Sequence, residues 1–140
     1  MPESHKSLIK RVAISTDEKL GISISKDSSA FLWDIEQNKK ILEFSASKYE
    51  ITGLCMAANG KYVVLSSSDG MVSIWDLQKK KKVATLESHK GEVNDVSCTP
   101  DANVIFSAGS DGTIRIWENN FIWPLIVEQN YLKVVPELKK

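Results

Sequence analysis

Three tryptophans, Trp33, Trp75 and Trp117, stand 42 residues apart, and an acid follows each one: Asp34, Asp76 and Glu118. Six residues before each tryptophan is an aspartate, Asp27, Asp69 and Asp111. The stretches between them match as well. Ser68-Asp69-Gly70-Met71-Val72-Ser73-Ile74-Trp75 lines up with Ser110-Asp111-Gly112-Thr113-Ile114-Arg115-Ile116-Trp117, and no insertion or deletion breaks the register over three copies. A fixed period of this length marks a repeat architecture. Each copy is one small structural unit that cannot bury its apolar surface alone and must stack on its neighbours.

Within each copy, short β-branched and apolar runs alternate with turn residues. In the second copy the runs are Ile51 to Met56, Tyr62 to Ser66, Val72 to Asp76 and Val83 to Leu86, separated by Ala58-Asn59-Gly60, Ser68-Asp69-Gly70 and a lysine segment. The spacing predicts four strands per copy, joined by tight turns into an antiparallel meander. Asp17, Asn59 and Asp101 recur in the first turn, where a short polar side chain bonds the backbone two residues on. Middle strands such as Val104-Ile105-Phe106 and Ile114-Arg115-Ile116 are too apolar for a sheet with one wet face. Both faces must be covered, and side-by-side stacking of like sheets does this. The outer strand of the third copy is expected at Leu125-Ile126-Val127, after Pro124, a residue tolerated at a strand start or edge.

His5 and His89 stand twenty-eight residues before Trp33 and Trp117, inside the near-identical pieces Glu3-Ser4-His5-Lys6 and Glu87-Ser88-His89-Lys90. A period in the low forties with a Trp-Asp ending and an upstream His resembles the WD-repeat family of β-propellers, over about residues 5 to 128. The resemblance implies an all-β fold, a partial β-propeller of three four-stranded antiparallel blades. They fall at about residues 5–46, 47–88 and 89–128, and residues 129–140 form a tail that can begin a fourth blade. It also implies a buried hydrogen-bonded chain in each blade, through His5, Ser23, Asp27 and Trp33 and again through His89, Ser107, Asp111 and Trp117. In the second copy Ser47 and Leu65 take the His and Ser positions, which leaves Asp69 and Trp75 and a blade held more by packing. A pattern repeated per blade is structural, since a hydrolase triad occurs once, and buried polar groups persist only with partners. Trp33→Ala and Trp117→Ala are each expected to cost about 3–5 kcal/mol.

The remaining motifs narrow the function. No Gly-rich phosphate loop, metal-ligand cluster or convergent carboxylate pair stands out in the sequence, so the expectation is no catalysis, no metal and no cofactor. Eighteen Lys+Arg balance eighteen Asp+Glu, which removes any global field toward nucleic acid or an anionic membrane. Lys79-Lys80-Lys81-Lys82 aligns with Gln37-Asn38-Lys39-Lys40 in a turn and reads as a solvated hairpin tip, against an import signal or phosphate contact. Cys55 and Cys98, each in an apolar stretch, read as buried thiols ahead of a disulfide or metal site. The polar start Met1 to Lys6, and the lack of any apolar run of bilayer length, lead to the expectation of a soluble intracellular chain in cytoplasm or nucleus.

What the resemblance implies for function is a non-catalytic protein-interaction scaffold. The alternatives are a nucleic-acid-associated or regulatory subunit of a larger complex, and a fragment of a WD-repeat enzyme or signalling protein. Family members bind proteins or peptides on the rim where loops enter the innermost strands. By register the candidate contacts are Leu8, Lys10 and Lys26; Glu50, Thr52 and Ser68; and Glu92, Asn94 and Ser110. Three blades do not close a ring. Either the chain is part of a longer propeller, or copies of itself or another protein complete the ring. Phe121-Ile122-Trp123-Pro124 is a candidate cap or partner contact, and Tyr131-Leu132-Lys133-Val134-Val135-Pro136 a candidate start of another inner strand.

Overall fold

The computed structural model describes residues 4–44, 48–57, 60–87 and 89–118. The outer strand expected at Leu125 to Val127, the run Phe121 to Pro124, the tail from residue 129, Ser47 and Asn59 lie outside the described residues. Eleven strands form three antiparallel sheets of four, four and three strands, with no helix among the described residues. Blade 1 contains β1 (Ile9–Ile14), β2 (Leu20–Ser25), β3 (Ala30–Asp34) and β4 (Lys39–Phe44). Blade 2 contains β5 (Ile51–Met56), β6 (Tyr62–Ser67), β7 (Met71–Asp76) and β8 (Lys81–Glu87), and blade 3 contains β9 (Val93–Cys98), β10 (Val104–Gly109) and β11 (Ile114–Glu118). Strands adjacent in the chain are adjacent in each sheet. The architecture is all-β, a set of partial β-propeller blades.

Side chains of the turns explain why the strands break where they do. The Asp17 carboxylate accepts from the Lys19 N–H at 3.0 Å, and Asp101 accepts from the Asn103 N–H at 3.0 Å, each tightening its first turn. The acid after the tryptophan closes the third turn: Asp34 accepts from the Gln37 N–H at 2.8 Å, and Asp76 from Gln78 and Lys79 at 2.9 Å. Lys79 and Lys80 occupy that turn, Lys81 and Lys82 open β8, and all four are exposed.

Period-two alternation on β6 divides the core in two. Val63 and Leu65 enter the cluster shared with blade 1, among Ile22, Ile24, Leu32 and Leu54. Tyr62 and Val64 enter the cluster shared with blade 3, among Ile74, Val96, Ile105 and Trp117. Blade 2 is thus covered on both faces, as its continuous apolar strands require. The inner strands stand side by side, β5 against β1 and β2, and β9 against β5, β6 and β7.

Gly53 sets how close two of them come. A methyl group there would lie 2.6 Å from the Asp95 carboxylate and 3.1 Å from the Asp95 Cα. Across this gap Arg11 Nη2 donates to Asp95 Oδ2 at 3.2 Å, so the first blade is tied to the third over the second. Both side chains are about half exposed, and such a pair contributes at most about 1 kcal/mol.

Candidate functional site

In blade 1, His5 Nε2 lies 2.7 Å from Ser23 Oγ, and Trp33 Nε1 donates to the same oxygen at 2.9 Å. His5 Nδ1 meets Ser29 Oγ at 2.7 Å, and Ser29 donates to Asp27, so the aspartate is reached through a serine. Blade 3 makes the contact directly: His89 Nδ1 is 3.0 Å from Asp111 Oδ1, and Nε2 is 3.0 Å from Ser107 Oγ. Two neighbours account for the difference. The His5 ring stacks on Phe31 at 3.8 Å, where blade 3 has Arg115 at the matching position. A methyl at Gly109 would fall 2.3 Å from His89 Nδ1, so His89 uses room that Ser25 fills in blade 1. In blade 2 the Trp75 Nε1 donates to Ser73 at 3.1 Å, Asp69 accepts from Ser67 and from the Met71 N–H, and Leu65 is core. Ser23 and Ser107 are buried, and each hydroxyl is engaged with a histidine.

These turns make stability depend on pH. Hydrogen bonds from Ser15 and the Lys19 N–H hold Asp17 below its ordinary 3.8, and those from the Asn103 N–H and Thr99 do the same for Asp101. At Asp27 and Asp111 burial pushes the carboxyl up, but bonds from Ser29 or Thr113, and from the Lys6 or Lys90 N–H, outweigh it. His5 is lowered from 6.5, mainly by burial, against the pull of Asp27 and Glu43. A lowered aspartate stabilises the fold above its unfolded value, and this is lost as pH falls through the folded value. A lowered histidine takes its proton first in the unfolded chain, so its contribution also declines as pH drops below 6.5. Thermal melts followed by circular dichroism are expected to show a midpoint that slips gently below pH 6.5 and steeply below 3.8. Asp111→Asn should flatten only the steep part.

The two end faces differ sharply from the inner ones. Val12 is 71% exposed, while its register matches Leu54 and Val96 are 8% and 5%. Ile35 is 42% exposed against 5% for Leu77. These residues, with Ile14, lie on the face of blade 1 that looks away from blade 2. At the other end Phe106 is 43% exposed, while its matches Ile22 and Val64 are 2% and 0%. Ala108, Ile114 and Ile116 share that face with it. Among the described residues, the period identifies which side chains occupy these two faces.

The nine candidate contact residues fall into three equivalent junctions. The N–H of Lys26, Ser68 and Ser110 donates to the carbonyl of Leu8, Glu50 and Glu92 at 2.8, 2.9 and 2.9 Å, tying each turn to the loop before the inner strand. Lys10 and Glu50 pair with each other at 2.7 Å, and Thr52 bonds Ser66 and the Val93 carbonyl. Leu8, Lys26, Glu92, Asn94 and Ser110 are exposed. A cleft of about 490 Å³ beside blade 1 is lined by Lys6, Lys40, Asp27 and Glu43 with Ser29 and Phe31, two basic groups beside two acidic ones. Among the described residues no cluster of three or more His, Cys, Asp or Glu can hold a metal, and no helix is long and apolar enough to cross a membrane. Sequence reasoning missed the Arg11–Asp95 bridge and the meeting of Cys55 and Cys98, whose sulfurs are 2.7 Å apart.

Comparison with known proteins agrees with this geometry. The family described as WD domain, G-beta repeat, matches residues 80–118, and that described as the anaphase-promoting complex subunit 4 WD40 domain matches residues 13–98, more than half of the chain. Among curated proteins none gives a match. By its strand meanders, its side-by-side sheets and these matches, the chain belongs to the WD-repeat family.

Proposed function

We propose that this chain is a non-catalytic protein-interaction scaffold, and that it docks blade to blade as well as through its rim. The WD-repeat fold is in general one that holds other proteins. The observation that supports blade docking is the register comparison: side chains sealed inside the two blade–blade contacts have exposed equivalents on the two ends. The fit is reciprocal. The open face of blade 3 carries the positions that blades 1 and 2 turn toward a following blade, and the open face of blade 1 carries those turned toward a preceding one. The occupant of each is therefore a like blade, and a second copy of this chain supplies both.

Two copies would make six blades, within the range that closes a propeller. A face of four five-residue strands measures roughly 19 by 17 Å. Two such contacts bury on the order of 1,200 Å², the lower limit for a specific complex. In this reading the His, Ser and Asp groups brace blades 1 and 3, packing carries blade 2, and Leu8, Lys26, Glu92, Asn94 and Ser110 offer the rim to a protein partner. The match to a domain named for a subunit of a complex fits such a role.

Light scattering on the purified chain tests the reading. The expected particle exceeds the 15.6 kDa of one copy. Val12→Asp and Phe106→Asp should each reduce the mass, and mixing the two variants should restore a dimer, because one unaltered pair of faces remains. A well-behaved monomer of the unaltered chain would overturn blade docking.

A further inference from the structure

Cys55 on β5 and Cys98 at the end of β9 are separated by 43 residues, one more than the period. That extra residue puts them on opposite faces of consecutive blades. Cys55 is in register with Val64, on the face toward blade 3, and Cys98 with Ile105 and so with Trp117, on the face toward blade 2. The sulfurs lie 2.7 Å apart, roughly 0.7 Å more than a disulfide bond. Each side chain is half-buried, packed on the shared core along one edge yet within reach of solvent. We propose that Cys55 and Cys98 form a reversible modification site, at which a low-molecular-weight disulfide of the glutathione class converts the dithiol into a covalent bond between blades 2 and 3.

The two sulfurs have unequal parts. The hydrogen bond from Cys98 draws the Cys55 thiol down to about 7 against the effect of burial, while Cys98 is pushed up by the same partner and by burial. Asp95 and Asp101 are the nearby anions, the first opposing ionisation of Cys55 and the second that of Cys98. At neutral pH Cys55 is therefore the attacking thiolate. It bonds to one sulfur of the reagent and expels the other half, which leaves as a thiolate and takes a proton. Cys98 then loses its proton and attacks the Cys55 sulfur, expelling the second half as a thiol. The protein gives up two protons and two electrons, and one reagent disulfide becomes two thiols.

Oxidised glutathione at pH 7.5 is the probe, applied to the full chain and followed by intact mass, maleimide labelling and peptide mapping. The expected product is lighter by two hydrogens, takes no maleimide, yields a Cys55–Cys98 linked peptide and reverts with dithiothreitol. Its melting midpoint should rise by about 10 °C, as expected for a bridge across a loop of this size. Cys98→Ser should stop at one glutathione adduct on Cys55, and Cys55→Ser should react far more slowly at Cys98. Two labelled thiols after treatment, stable adducts on both cysteines, or a link between two copies would each overturn the proposal. The single variants keep the outcome readable if bridging strains the blades, because the order of reactivity is measured without closing the ring.

Discussion

In a Val12→Asp background, which keeps blade 1 uncovered, Trp117→Ala is expected to lower stability by about 3–5 kcal/mol, while Trp33→Ala costs about 1–2 kcal/mol. The two residues are equivalent in sequence, so the difference comes from what faces them. Trp117 is 4% exposed and sits between blades 2 and 3 with Tyr62, Val64, Val96 and Ile105. Removing it leaves a void that rigid sheets on both sides cannot fill, and the cavity adds to the lost transfer energy. Trp33 lies on the open face of blade 1, half-buried, against Phe31 at 5.7 Å and bonded to Ser23. Water enters when that ring is cut away, so only the transfer part is lost. Urea unfolding in a Val12→Asp background, where blade 1 stays uncovered, checks the ranking. The Trp117 variant should shift the midpoint by about 1 M or more. Equal shifts for the two variants would mean that the rings are not placed as described.

Most of the fold was legible because the period does three jobs at once. It counts the sheets, it fixes the strand order within each, and with alternation it assigns every side chain to a face. The strands expected at Ile51 to Met56 and Val83 to Leu86 are found at Ile51–Met56 and Lys81–Glu87, the second lengthened because two lysines of the exposed run and Glu87 join the ladder at a blade edge. The equal cost expected for Trp33 and Trp117 is where the period misleads. It treats copies as identical, whereas Trp117 is sealed between two blades and Trp33 is only half-buried.

What stayed hidden involves departures from the repeat. Positions 11, 53 and 95 are equivalent and hold Arg, Gly and Asp. Only the close approach at Gly53 reveals that the glycine lets the two charges meet across it. The Cys55–Cys98 pair is a subtler case. Its spacing of one period plus one already puts the thiols on facing sides of adjacent blades. Reading each cysteine by its apolar surroundings alone concealed this, and a register comparison would have found it. The contacts of His5 with Ser23 and of His89 with Ser107 fall where the register places them, but the detour through Ser29 was hidden, since it depends on how Phe31 and Gly109 shape the space around each ring.

A second large effect separates the strain within a turn from the contact between blades. Ser28, Gly70 and Gly112 hold the same place in the turn before the third strand, at φ of 72°, 86° and 80°. A side chain at such an angle costs roughly 1–2 kcal/mol. A methyl added at Gly112 meets nothing within 4 Å, so Gly112→Ala should cost about that much alone. At Gly70 the same methyl would lie 2.5 Å from the His89 carbonyl oxygen and 3.0 Å from that of Gly91, both backbone atoms of the loop leading into blade 3. That loop is also held by a 3.0 Å bond from the His89 N–H to the Gly70 carbonyl. It must withdraw, which adds about 1–3 kcal/mol of crowding and loosens the His89 ring from Ser107 and Asp111. Gly70→Ala is therefore expected to cost about 2–5 kcal/mol in total and to speed hydrogen exchange at the His89 amide. Gly112→Ala should leave that amide as protected as before. If both variants cost the same and exchange alike, the turn of blade 2 does not press on the loop that enters blade 3.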